Sequence, residues 1–204
     1  MMNVAKLKRR IIMTSLAILT LITVGLLLPA PQIIPVEDAT RYDWNHKTFW
    51  NPRWGKSWTH KGIDIFAPIN KPVLSSTYGI VLWTTQRKLG GNVVLVLGPK
   101  WQVHYYAHLK KIKAHAGQLV RQGDIIGTVG RTGNAIRRPS HLHYSILSLV
   151  PYPWRWDNHS PQGWKKVFFL NPTRQLLPNR SYPQQQAETP KQTKPEQHAR
   201  LSLQ

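Results

Sequence analysis

The pattern of hydrophobic and polar positions divides the chain into three unequal parts. From Ile11 to Val36 no side chain ionises, and the centre of that stretch reads "IIMTSLAILTLITVGLLL". An unbroken apolar run of this length predicts a membrane-spanning helix or an export signal, not an amphipathic surface helix. From about 46 to 177 the pattern changes to short apolar and β-branched runs broken by Gly, Pro and Asn: "KPVLSS", "YGIVLWTT", "GGNVVLVLG", "WQVHYYAHL", "GQLVRQGDIIGTVGRTGN" and "HLHYSIL". Such spacing predicts an all-β domain of antiparallel strands with little helix. After about 178, "PNRSYPQQQAETPKQTKPEQHARLSLQ" is rich in Gln and Pro and poor in large apolar groups, which predicts a disordered tail.

The residues between these parts refine the boundaries. Residues 31–45, "PQIIPVEDATRYDWN", hold prolines and local acidic charge and read as a spacer between membrane and domain. Lys6, Lys8, Arg9 and Arg10 precede the apolar run. Basic residues on that side only predict a cytoplasmic N-terminus and an exported remainder, with the domain in the cell envelope on the periplasmic side. The residue two before Ala30 is Leu28, not a small side chain, which favours an uncleaved anchor over a cleaved signal.

Composition narrows the chemistry. The formal charge is +20 among 204 residues, and cysteine is absent. Disulfides and thiolate chemistry are excluded, so any metal site must be built from His and carboxylates. A basic exported surface points to anionic envelope polymers or lipid head groups before nucleic acid. Between Trp44 and Ala187 there is no Glu and the Asp residues are three: Asp64, Asp124 and Asp157. There is no HExxH motif and no GxSxG elbow. Asp124, in "RQGDIIG", suits a turn.

Histidine is what remains. His60 and Asp64 form an HxxxD pair in "WTHKGIDIFAP", with Gly62 between them to allow a tight turn. His141 and His143, in "SHLHYSI", are one residue apart, so on a strand they project from one face. Three N and O ligands drawn from this set would leave a fourth position on a tetrahedral zinc open to water, as catalytic sites do. His108, in "YYAHL", is a further candidate from another strand, and His104 lies on its face by strand parity. Spacing does not separate metal ligands from groups that act on substrate.

Taken together and in this order, "HKGIDI", "YYAHL", "GQLVRQGDIIGTVGRTGN" and "SHLHYSI" resemble the LytM/lysostaphin-type zinc endopeptidases, which cut peptide bonds in peptidoglycan stems or cross-links. The resemblance covers residues 55–147 and implies a sandwich with a hammerhead-like, lipoyl-type β motif. It implies His60, Asp64 and His143 as zinc ligands, and His108 and His141 as the groups acting on the bound water and the reacting carbonyl. The implied reaction is peptide-bond hydrolysis by water activated at zinc. One of His108 and His141 would take the water proton and the other stabilise the oxyanion.

Two departures from that family stand out. Ser145 occupies a position that is usually acidic, and "NAIRRPS" before His141 carries two arginines where a shorter, small-residue turn is common. Trp44, Trp50, Trp54 and Trp58 before His60, with Tyr152, Trp154 and Trp156 after the HxH strand, suit either a substrate groove or packing. A non-catalytic wall-binding or amidase-regulating module of the same fold is the rival reading, against which the complete set of five residues argues. A nucleic-acid-binding β-domain is the other, and the export segment argues against it.

Overall fold

The computed structural model describes residues 4–52 and 59–177. The tail beyond residue 177, and Trp54 and Trp58, lie outside the described residues. The apolar run forms one helix, α1 (Val4–Leu27). Its Lys6–Leu27 portion has a mean hydropathy of 2.1 and is not buried by the rest of the chain, so it is long and apolar enough to cross a membrane. Full-length protein is expected to sediment with membranes and to resist carbonate extraction; a shortened soluble form in cells would indicate a cleaved signal.

The remainder is a mostly antiparallel β-domain, as the alternating short runs imply. Its strands are β1 (Ile63–Phe66), β2 (Pro72–Leu74), β3 (Gly79–Arg87), β4 (Gly91–Gly98), β5 (Gln102–Leu109), β6 (Lys111–Ile112), β7 (Leu119–Val120), β8 (Ile125–Thr128), β9 (His141–Ser148) and β10 (Phe169–Leu170), followed by a single helical turn and a half, α2 (Pro172–Leu176). The larger sheet has the order β1-β9-β5-β4-β3-β7, with β10 also on β9; the smaller has the order β2-β8-β6.

Strand parity sorts the side chains of the larger sheet. One face carries Ile63, Ile65, Val94, Val96, Tyr106, Leu142, Tyr144 and Ile146, all buried, and they form one core with Val73 of β2 and Ile126 of β8. The other face of β9 carries His141, His143, Ser145 and Leu147, which line a cleft. The register places Asp64 opposite His143 and Phe66 opposite His141, while Ala107 of β5 faces His143 from the other side. A sheet with one face in the core is fixed in register, because a one-residue slip would exchange the two faces.

Residues 31–45 are not a spacer. Ile33 N–H donates to the Ser76 carbonyl at 2.9 Å, Val36 bridges Val73, and Val36 and Trp44 are both buried. Pro31 and Pro35 bracket Ile33 and Ile34, and with Val36 these apolar residues extend the edge of β2 instead of leaving a flexible link. Trp44 anchors the end of the segment through its indole N–H to Thr173 Oγ1 at 3.0 Å.

Gly62 is required for close approach and not for a tight turn. A Cβ there would lie 2.4 Å from the Tyr144 carbonyl oxygen and 3.0 Å from His143 Cε1. Gly62→Ala is therefore expected to lower stability by about 1–3 kcal/mol through overpacking, and to reduce activity, since the backbone that yields carries Asp64 or His143. Thermal unfolding compared with Gly117→Ala, where a Cβ meets nothing within 4 Å but φ is +82°, separates crowding from backbone strain.

Candidate metal centre and catalytic cleft

Strand pairing and one loop bring the metal-binding candidates together. Asp64 and His143 meet because β1 and β9 pair directly at those residues. His60 precedes β1, in a stretch clamped by Trp50 N–H to the His60 carbonyl at 2.7 Å and His60 N–H to the Asn51 carbonyl at 3.1 Å. Its Nε2 then lies 3.0 Å from Asp64 Oδ1 and 3.2 Å from His143 Nδ1, and His143 Nδ1 lies 2.8 Å from the same Asp64 oxygen.

These three atoms form a donor set suited to a cation. The Thr48 carbonyl, 3.0 Å from His60 Nδ1, can only accept, so Nδ1 carries the proton and the lone pair of the neutral ring lies on Nε2. That lone pair faces a carboxylate oxygen and a second imidazole nitrogen. A divalent cation converts this crowding of lone pairs into ligation, and two imidazoles with one carboxylate are a ligand set of hydrolytic zinc. Burial pushes the Asp64 carboxyl up, but the adjoining imidazoles of His143 and then His60 more than offset it, holding the group well below the usual carboxylate range. Desolvation lowers His143 from its ordinary value, opposed by Asp64, so both donors favour the deprotonated forms that bind metal.

His108 reaches the cleft by breaking strand alternation. Along β5, Val103, Tyr105 and Ala107 line the cleft, whereas His104 and Tyr106 are in the core. Simple parity would bury His108 as well. Between the pairs Asn92–Leu109 and Val94–Tyr106, two residues of β5 stand against one of β4, and His108 takes φ +64°. This β-bulge re-aims the imidazole, at a backbone cost of roughly 1–2 kcal/mol for a non-glycine residue in the left-handed region. The expected shared face of His104 and His108 is thus overturned. His104 is fully buried, its Nδ1 2.7 Å from the Tyr144 hydroxyl, and desolvation pushes it down to about 3.

His108 and His141 are held as a pair. Their ring centroids are 5.0 Å apart, edge to face. His108 Nδ1 donates to the Thr132 carbonyl at 2.9 Å and His141 Nδ1 to the Pro139 carbonyl at 2.8 Å. Both neutral rings therefore present an Nε2 lone pair as a proton acceptor, and His141 Nε2 is 3.9 Å from Asp64 Oδ1. Burial, and then the neighbouring His143 and His141, push His108 down to about 4, which keeps it neutral at pH 7.

The cleft has a volume of about 360 Å³ and takes in all five of His60, Asp64, His108, His141 and His143. Tyr105, which no motif singled out, also lines it, its ring 6.3 Å from that of His143. The alternation Val103-Tyr105-Ala107 on the strand that carries "YAHL" is the signal that would have found it. Thr132 was missed for a different reason. Its carbonyl holds His108, and its hydroxyl donates to the Leu109 carbonyl at 2.9 Å and accepts from Asn92 N–H at 2.9 Å. Ser145, at the unusual position, lines the cleft two residues beyond His143. Among the described aromatics of the two tryptophan-rich stretches, Trp44 and Trp50 are buried packing residues, and neither they nor Tyr152, Trp154 and Trp156 line the cleft. Asp124 serves a turn, accepting Arg121 N–H at 2.7 Å.

Comparison with known proteins agrees with this geometry. Residues 58–152 match the family described as peptidase family M23. An L-Ala–D-Glu endopeptidase of Bacillus subtilis is 33% identical over 143 residues, covering 60% of this chain and 43% of its own length. The peptidoglycan DD-endopeptidase ShyA of Vibrio cholerae is 38% identical over 88 residues, covering 43% of this chain and 20% of its own length. The chain thus spans less than half the length of these curated relatives. The antimicrobial peptidase lysostaphin of Staphylococcus simulans shares the fold, with a TM-score of 0.52 at 22% identity over 68% of this chain and 50% of its own. Residues 58–152 thus match peptidase family M23, and the domain shares the LytM/lysostaphin fold.

Proposed function

We propose that this chain is a membrane-anchored, zinc-dependent endopeptidase that hydrolyses peptide bonds in the stems or cross-links of peptidoglycan. The observation that carries the proposal is the convergence of His60, Asp64 and His143, whose ligand atoms lie within 4.8 Å of one another, beside an imidazole pair in one cleft. The relatives named as an L-Ala–D-Glu endopeptidase and as a peptidoglycan DD-endopeptidase support the substrate class. The basic flank on the N-terminal side of helix α1 supports a domain held on the outer side of the membrane.

His60, Asp64 and His143 would hold the metal, and the carbonyl of Thr48 fixes the His60 ring so that Nε2 faces the other two donor atoms. Bound zinc would supply a water of lowered pKa, near about 7, and would polarise the scissile carbonyl. His108 and His141 do the proton work. With each Nδ1–H committed to a backbone carbonyl, each neutral Nε2 can only accept. Whichever ring takes the water proton becomes an imidazolium, and its new N–H is then the donor available to the oxyanion or the leaving amine. The apolar floor of Leu95, Val103 and Leu147 limits water around the reacting groups.

Incubating detergent-solubilised protein with purified peptidoglycan and weighing the released fragments tests the proposal. New amino termini within peptides are expected. Binding without any new termini would favour the wall-binding module instead.

A further inference from the structure

The cleft holds a charge imbalance that the hydrolytic machinery does not use. Among the described residues, Asp64 is the one acidic side chain that lines it, while Lys61 and Arg138 line it too. Lys61 directly follows His60, and Arg138 lies three residues before His141, so the two cations enter beside the reacting groups from different segments of the wall. The Arg138 segment is tied down by Asn134 N–H to the Leu89 carbonyl at 3.0 Å and Ser140 Oγ to the Ala67 carbonyl at 2.7 Å.

Neither cation has a side-chain hydrogen bond or ion pair among the described residues. The other described acids of the domain are engaged elsewhere: Glu37 and Asp38 with Lys71, Asp43 with Thr40, Asp124 in its turn, and Asp157 with Lys166, Ser160 and the His159 N–H. Lys61 is half-buried, so it stands in a partly dehydrated place with no anion to offset the cost. The same cleft has an apolar part, where Val103 of β5 and Phe169 of β10 both pair with Leu147 of β9. A ligand matching this lining combines apolar surface with anionic groups for the two cations.

We infer that Lys61 and Arg138 select peptides bearing free carboxylates near the scissile bond, each cation pairing with one carboxylate. The inference rests on the endopeptidase reading for the nature of the ligand. Arg138 suits a two-pronged carboxylate contact, and Lys61 a point-charge contact strengthened by its partial burial. Binding energy gained at these remote groups also helps to orient the peptide bond over the metal ligands and the imidazole pair.

The test compares purified peptidoglycan in two forms, native and with its free carboxyl groups converted to methylamides. Wild type, Lys61→Met/Arg138→Met and Arg138→Lys are each assayed for cosedimentation and for release of new amino termini. Amidation is expected to lower wild-type cleavage tenfold or more, mainly through KM, and to weaken cosedimentation. The double variant should be slow on native material and lose no more than twofold on amidation, with unchanged metal content. Arg138→Lys should keep part of the preference, which a purely structural role of Arg138 would not predict. The bulk positive charge also favours native over amidated material, but it is nearly the same in every variant and is screened at about 0.15 M salt, so the change in preference between wild type and variants is the informative quantity. Equal handling of both materials by wild type, or an undiminished preference in the double variant, overturns the inference. Preferential cosedimentation of native material without any new amino termini overturns the endopeptidase reading and leaves carboxylate selection standing.

Discussion

His143→Ala is expected to cost the protein both its metal and its hydrolysis. His143 Nδ1 sits 2.8 Å from Asp64 Oδ1 and 3.2 Å from His60 Nε2, so its removal leaves two donors where three converge. Loss of an outer hydrogen-bond partner alone typically weakens a metal site by about 10–100-fold, and loss of a ligand should exceed that. Cleavage should fall by about a thousandfold or more, because the activated water and the polarised carbonyl disappear together. Elemental analysis and fragment release on the same preparation check both outcomes. Far-UV circular dichroism should remain that of the wild type, since His143 is on the cleft face and the core on the opposite face is untouched.

His108→Ala should separate the two functions. His108 contributes no atom to the group of three donors, so metal content should stay at the wild-type level. Cleavage should fall by about 10²–10⁴-fold, the usual share of a positioned proton-transfer group. The backbone at His108 has φ +64°, which alanine tolerates poorly, so His108→Asn is the better-behaved companion, because asparagine visits the left-handed region readily. Metal loss in His108→Asn equal to that in His143→Ala would contradict the assignment of roles.

Much of the site was legible because it follows strand periodicity. His141 and His143 share a face since alternate residues of a strand do, and the HxxxD spacing lets His60 fold back over the first turn of β1 to meet Asp64. The all-β architecture was legible for the same reason, from short apolar runs and the turn residues between them. What escaped was set by deviations from periodicity or by groups that carry no residue signature. A single extra residue in β5 sends His108 to the cleft and leaves His104 in the core, and nothing in "QVHYYAHL" marks the bulge. The carbonyls of Thr48, Thr132 and Pro139 hold the three imidazoles, but every residue has a carbonyl. Residues 31–45 read as a spacer because proline and acid dominate their composition, whereas Ile33, Val36 and Trp44 decide where the segment packs.

The metal content of the full-length protein, purified without chelator, tests the central claim most directly. About one zinc per chain is predicted, since the three converging donors match one catalytic site. Wild-type protein that is folded and contains no zinc under those conditions would contradict it.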